Sequence, residues 1–225
     1  MFLGGYQKVS LMDYPGLVAS VVFLRGCDFM CPYCHNPELI SVEGGLVLEE
    51  EFLSLLLENR KMLDGVVITG GEPCLQPGLP EFMSKIKDYG FKIKLDTNGS
   101  EPDMLAFILS KGLADYVAMD IKSSWENYPK VAHPVGAADK VKKSLAAIQS
   151  SKVDHEFRTT IFPGTHTMED FISIAGELSD GAKYFIQDIK LAKTFSEISS
   201  FSEFYSADVA EELKKRYPRL IVGHR

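Results

Sequence analysis

Three of the chain's four cysteines fall within eight residues, Cys27-Asp28-Phe29-Met30-Cys31-Pro32-Tyr33-Cys34. A run spaced Cys-x3-Cys-x2-Cys is a metal-ligand pattern before it is anything else. Pro32 would remove an amide and clash one turn back in a helix, so the stretch is a loop wrapped around something. Soft thiolates select iron–sulfur clusters, zinc or copper(I). The number three is the informative part. A closed structural site wants four protein ligands, whereas a reactive site keeps a position open. A [4Fe–4S] cluster ordinarily takes four cysteines, so three leave one iron free for a substrate or cofactor. Zinc is the competing reading, with Cys74 or His35 as a fourth ligand. His35 adjoins Cys34, which makes joint ligation awkward.

The rest of the composition narrows the context. A chain of 225 residues, 45% hydrophobic and 24% charged, can bury one sizeable core and reads as a single domain over 1–225. No run of about 18 apolar residues implies a membrane span. A net charge of −7 gives no electrostatic case for nucleic acid. Met1 to Lys8 lacks a secretory apolar region of adequate length, and few, clustered cysteines suit a reducing cytoplasm.

Around the cysteine loop (26–36) the chain alternates. Tyr14-Pro15-Gly16 is a turn that closes an N-terminal extension, 1–17. Val18 to Leu24 is a β-branched run that delivers Cys27 at its C-terminal end. Leu46 to Met62 has helical spacing. Val66 to Thr69 is the second strand and runs into Gly70-Gly71-Glu72-Pro73, where two glycines allow close backbone approach. Phe91 to Leu95 and Tyr116 to Lys122 are further strands, so Asp96 and Asp120 both stand at C-terminal strand ends. Asp96 is also placed to cap the following helix. On the strand Glu156 to Phe162, Arg158 shares a face with Glu156 and Thr160. A buried arginine is costly unless paired, so that face should look into a polar cavity. Six strand–helix alternations predict a parallel α/β sheet. Six strands cannot close an eight-stranded barrel, so the expected architecture is an open, partial (β/α)6 TIM-like barrel.

Cys27-x3-Cys31-x2-Cys34, with Tyr33 before the last cysteine, resembles the signature of the radical S-adenosylmethionine (radical SAM) family. The resemblance implies a [4Fe–4S] cluster on Cys27, Cys31 and Cys34, whose open iron binds the amino and carboxylate groups of SAM. Electron transfer from the cluster then releases a 5′-deoxyadenosyl radical, with the protein supplying orientation and exclusion of water. Asp13-Tyr14-Pro15-Gly16, Cys34-His35-Asn36, Gly70-Gly71-Glu72-Pro73, Asp96-Thr97-Asn98-Gly99 and Asp120-Ile121-Lys122 further resemble glycyl-radical-enzyme activating enzymes. The most similar are activating proteins of anaerobic ribonucleoside-triphosphate reductase, with pyruvate formate-lyase activases next. The latter carry glycine where this chain has Tyr14. By this resemblance Gly70, Gly71 and Glu72 hold the SAM amino group. Asp96 and Asp120 help hold a monovalent cation beside the SAM carboxylate. Lys122, the serines after it, Arg158 and Tyr33 belong to the cofactor site. Independently of the resemblance, Gln187 stands on the strand Tyr184 to Ile189 and is placed to border the adenosine.

The partners so implied are a glycyl radical enzyme as protein substrate and a flavodoxin- or ferredoxin-type electron donor. Two other readings stay open: a radical SAM enzyme acting on a small molecule or peptide, and a non-catalytic metal or electron-transfer module. Cys74 reads as a small buried hydrophobe. His133, His155, His166 and His224 read as surface or satisfied core residues.

Overall fold

Parallel neighbours in a sheet need crossover connections of a dozen or more residues, and this chain supplies six of them. The computed structural model describes residues 1–132, 136–189 and 205–225; His133 lies outside the described residues. The strands are β1 Leu3–Ser10, β2 Ala19–Leu24, β3 Gly65–Gly70, β4 Lys92–Thr97, β5 Tyr116–Asp120, β6 Asp154–Thr160, β7 Lys183–Gln187 and β8 Ile221–His224. They form one open sheet in chain order. β2 through β8 are all parallel, and β1 adds antiparallel to β2.

The helices are α1 Glu49–Glu58, α2 Leu79–Asp88, α3 Pro102–Ser110, the short α4 Tyr128–Val131, α5 Ala137–Ser150, α6 Met168–Gly176 and α7 Ser206–Arg216. None of these is long and apolar enough to cross a membrane.

The six strand–helix alternations are present as expected, but two local readings change. The extension 1–17, in which the sequence reading places no strand, contains the sheet's edge strand, Leu3–Ser10. The helix placed at Leu46 to Met62 is shorter. Val47 donates its N–H to Leu3 at 2.9 Å, which holds the residues before α1 extended. A tertiary pairing thus overrides helical spacing there.

Side chains alternate across the sheet. Val22, Leu24, Val66, Ile68, Ile93, Leu95, Val117, Met119, Phe157 and Tyr184 join the main core with the helices. The other face is concave and divided. Near the N-terminal strand ends, Ala19, Val21, Val67, Tyr116 and Ala118 form a second apolar cluster with Tyr14. Tyr14 is buried and its ring lies 6.1 Å from that of Tyr116, so the turn before β2 carries a plug for the barrel floor. Toward the C-terminal ends the concave face becomes charged. The sheet curls enough that Cys27, just past β2, and Arg225, just past β8, line one cavity.

Candidate functional site

The cavity has a volume of about 600 Å³ and opens at the C-terminal strand ends. That is in the range of small-molecule and cofactor sites. Cys27, Cys31 and Cys34 all line it, with Gly70, Gly71, Asp96, Asp120, Lys122 and Arg158 around the rest of its wall.

The cysteine loop is pinned at both ends. Gly26 donates to Leu39 at 2.8 Å and Cys27 to Ile40 at 3.0 Å, which closes the loop like a purse. Arg25 holds the segment behind it, donating to the carbonyls of Glu38 at 2.7 Å and Glu43 at 2.6 Å. Inside the loop, Phe29 and Tyr33 are buried. Phe29 packs edge-on to Tyr128 at 6.4 Å and Tyr33 lies 5.2 Å from Phe162. Burial pushes the Cys27 thiol up to about 12, and burial also raises Cys31. Thiols so placed need a metal to hold them as thiolates.

Among the described residues no three His, Cys, Asp or Glu side chains converge on a point that would hold a single metal ion. Cys74 is no fourth ligand, since it is buried beneath a separate groove beside α2 and α3 and is absent from the cavity wall. The three thiols facing one cavity therefore fit a cluster with a corner left for another ligand.

Gly70 and Gly71 have a demonstrable reason to be glycine. Gly70 sits at φ +124°, and a Cβ there would overlap the backbone of Leu24. A Cβ on Gly71 would overlap the carbonyl of Gly26, at the root of the cysteine loop. The N–H groups of Gly71 and Glu72 are spent on Leu24 and Gly26, at 2.8 and 2.7 Å. What this edge can offer a ligand is carbonyl oxygen, which suits an ammonium donor.

Glu72 differs from expectation in what its side chain does. The carboxylate is fully buried and does not line the cavity. It accepts from the backbone N–H of Asn98 at 2.6 Å, the N–H of Cys74 at 2.9 Å and the hydroxyl of Thr97 at 2.8 Å. It is a tie between the ends of β3 and β4. Asn98, so positioned, extends its carboxamide to the Cys27 sulfur at 3.7 Å and to Asp28 at 3.3 Å. The N–H of Phe29 also reaches that sulfur, at 3.4 Å.

The opposite wall is an ion-pair network. Arg158 donates to Asp120 at 2.7 Å and to Asp96 at 3.3 Å. Lys122 pairs with Asp120 at 3.0 Å, and Lys94 pairs with Asp96. Burial alone would raise the Asp120 carboxyl, but Arg158 and Lys122 hold it well below the usual carboxylate range. Burial would lower Arg158 and Lys122, and the carboxylates instead hold both firmly protonated.

A monovalent cation on Asp96 and Asp120, as the resemblance implies, would have to share their oxygens with Lys94, Lys122 and Arg158. Each of their four carboxylate oxygens already accepts from a protein cation.

Sequence reading missed four contributors. Lys94 shares a strand face with Asp96, so two-residue periodicity could have found it. Arg225, which holds the buried Glu156 at 3.0 and 2.9 Å, left no local signal. Arg25 and Asn98 work through backbone and sulfur contacts that only the folded chain creates. The serines after Lys122 turn away from the cavity, Ser123 and Ser124 being buried against Asp170. His166 is a satisfied core residue, as expected. Its Nδ1 accepts from the N–H of Phe162 and its Nε2 meets the Lys122 carbonyl, both at 2.9 Å. Gln187 does line the cavity.

The family model of the radical SAM superfamily matches residues 21–178. A Methanocaldococcus jannaschii protein, provisionally named a glycyl-radical enzyme activating enzyme, is 32% identical over 201 residues, which cover 87% of this chain and 82% of that one. The pyruvate formate-lyase-activating enzyme of Clostridium pasteurianum is 37% identical over 122 residues, 52% of this chain and 50% of that enzyme. Among solved structures, Streptococcus suis SuiB bound to S-adenosylmethionine shares the fold at a TM-score of 0.65 and 13% identity, over 88% of this chain and 48% of that one. The family implies a [4Fe–4S] cluster and SAM, and the three thiols and the ion-paired wall fit them. The chain belongs to the radical SAM superfamily and, within it, to the glycyl-radical-enzyme activating enzymes.

Proposed function

We propose that this protein activates a glycyl radical enzyme by removing one Cα hydrogen from a glycine of that partner, and that the partner is an anaerobic ribonucleoside-triphosphate reductase. The observation that carries the reading is one cavity with three thiols on one wall and a cationic wall opposite. It is joined to a relationship that spans most of a relative bearing the activating-enzyme name.

Cys27, Cys31 and Cys34 would hold the cluster. When bound, the cluster and SAM supply a 5′-deoxyadenosyl radical. The chain's own residues bind and orient. The carbonyl edge at Gly70 and Gly71 would accept the α-ammonium group. Arg158 and Lys122 would meet the carboxylate, with Asp96 and Asp120 holding their charges in place. Glu72 acts by positioning, through Asn98 and the strand ends. Tyr33 packs behind the loop with its hydroxyl 3.5 Å from the Lys122 carbonyl, so it ties the two walls together. Gln187 would border the adenosine from the end of β7.

Glycine suits the reaction because it has no side chain over its Cα and tolerates strained loop geometry. The partner's loop must leave its own fold to reach the cavity, so binding couples to local opening of that protein. The preference for the reductase rests on the resemblance of Ser10-Leu11-Met12-Asp13-Tyr14-Pro15-Gly16 and Cys34-His35-Asn36-Pro37-Glu38-Leu39 to the reductase's activating proteins. The electron donor of this reading is a flavodoxin or ferredoxin, and its setting is an anaerobic cytoplasm. The test is to mix reduced, cluster-loaded protein with SAM and candidate partners in the absence of oxygen. A glycine-centred EPR doublet on the reductase supports the proposal. A doublet only on pyruvate formate-lyase would move the partner, and SAM cleavage with no doublet on any partner would sink the activating role.

A further inference from the structure

Lys94 is a lysine in the middle of a central strand with only 2% of its surface exposed. Lysines are almost never buried to that degree unless paired. It stands two residues before Asp96 on β4, so both side chains project from the same face, and both line the cavity. Its ammonium bonds one oxygen of Asp96, and Arg158 takes the other. Asp120 is divided in the same way between Arg158 and Lys122.

The charges of this wall give the argument. Lys94, Lys122, Arg158 and Arg225 contribute four positive charges against three negative ones from Asp96, Asp120 and Glu156, which pairs with Arg225 and lies 4.0 Å from Arg158, a net of one positive. One carboxylate ligand neutralises it. A metal cation added to the same wall would leave two positive charges in a partly buried site, a costly arrangement. Remove Lys94 and the wall becomes neutral, so one monovalent ion restores the count. A buried ammonium and a monovalent metal ion are thus alternatives for the same place.

We infer that Lys94 is the resident cation of this site, a positioning residue whose ammonium holds Asp96 and, through it, Arg158, so that the SAM carboxylate is bound without sodium or potassium. The inference rests on the SAM-binding reading of the cavity. It departs from the expectation, raised by resemblance, that a dissolved ion fills this place.

The test is equilibrium binding of SAM to the anaerobic, cluster-loaded protein at constant ionic strength in sodium, potassium or tetramethylammonium chloride. Wild-type affinity should agree within about twofold across the three salts. The Lys94→Met variant should bind about tenfold more weakly in tetramethylammonium and regain most of that loss in sodium or potassium. Rescue by a specific ion is a readout that a merely structural lysine would not give. Wild-type affinity that collapses in tetramethylammonium overturns the inference, as does a Lys94→Met variant that binds like wild type there. If Lys94→Met does not fold, the wild-type salt series decides alone. Failure of wild type to bind SAM in every salt would sink the SAM reading of the cavity, and a normal but strictly ion-dependent affinity would sink only the role of Lys94.

Discussion

The carboxylate of Glu72 accepts the backbone N–H of Asn98 at 2.6 Å, joining the end of β3 to the end of β4 beneath the cysteine loop. Burial pushes the Glu72 carboxyl up to about 7, against the pull of its donors on Asn98, Cys74 and Thr97. The folded protein therefore keeps this proton to higher pH than the unfolded chain does. Stability contributed at this position is greatest below the unfolded value and falls as pH rises through the folded one. The loss should reach roughly 3 kcal/mol between about pH 4.5 and pH 8. Urea unfolding of wild type and Glu72→Gln across that range measures it. The difference between the two should slope with pH, and a flat difference would show that the carboxyl ionises normally.

Gly71 sets how close β3 comes to the root of the cysteine loop. A Cβ at this position would overlap the Gly26 carbonyl, a backbone atom that cannot swing aside. Gly71→Ala should push the loop out of register, and iron and sulfide content after anaerobic reconstitution should fall well below wild type. Gly45→Ala is the control, because a Cβ there meets nothing within 4 Å. Equal iron loading in the two variants would refute the close-approach argument.

Glu156 is 1% exposed and is held by both nitrogens of Arg225, at 3.0 and 2.9 Å, and by the Tyr116 hydroxyl at 3.0 Å. Removing one partner of a buried pair costs about 3–5 kcal/mol because the other charge is stranded. Arg225 is itself 42% exposed, and Tyr116 and Arg158, the latter 4.0 Å away, still face Glu156, so Arg225→Met should cost less than that range, about 2 kcal/mol, the scale of a hydrogen bond to a charged group. The double variant Glu156→Gln with Arg225→Met should recover most of the loss. Chemical denaturation of the three proteins decides it. A double variant no better than the single one would mean that Arg225 acts through packing on Phe185, whose ring lies 3.9 Å below its guanidinium.

Asn98 and Phe29 both point N–H groups at the Cys27 sulfur, at 3.7 and 3.4 Å. Hydrogen bonds to cluster sulfurs favour the reduced, more negative state. Asn98→Leu should therefore shift the cluster potential to more negative values in an anaerobic redox titration followed by EPR. Ser100→Ala removes a bond to Asp28, at 2.9 Å, without touching the sulfur, and should leave the potential where it was. A shift common to both variants would trace to Asp28 and not to the N–H donor.

Much of this protein could be read residue by residue. The cysteine spacing, the β-branched runs and the turn at Tyr14-Pro15-Gly16 are local signals, and local signals determine ligand number and element type. That is why the open barrel and the three-thiol loop were legible, and why Arg158 could be assigned to a polar cavity from strand periodicity alone. Leu3–Ser10 was harder, because an edge strand declares itself only once β2 is there to accept it.

Which charges meet was decided by the curl of the sheet. Arg158 lies 38 residues from Asp120 and 62 from Asp96, yet one guanidinium serves both carboxylates. The same curl brings Lys94 against Asp96 within the cavity, places Arg225 over Glu156, and leaves Cys74 on the far side of its strand end. Backbone preferences act over a few residues, whereas ion pairing in a low-dielectric interior depends on distances that only the packed strands establish. The sequence determined that a three-thiol site would exist at the mouth of an open barrel; the tertiary structure determined which cation stands across from it.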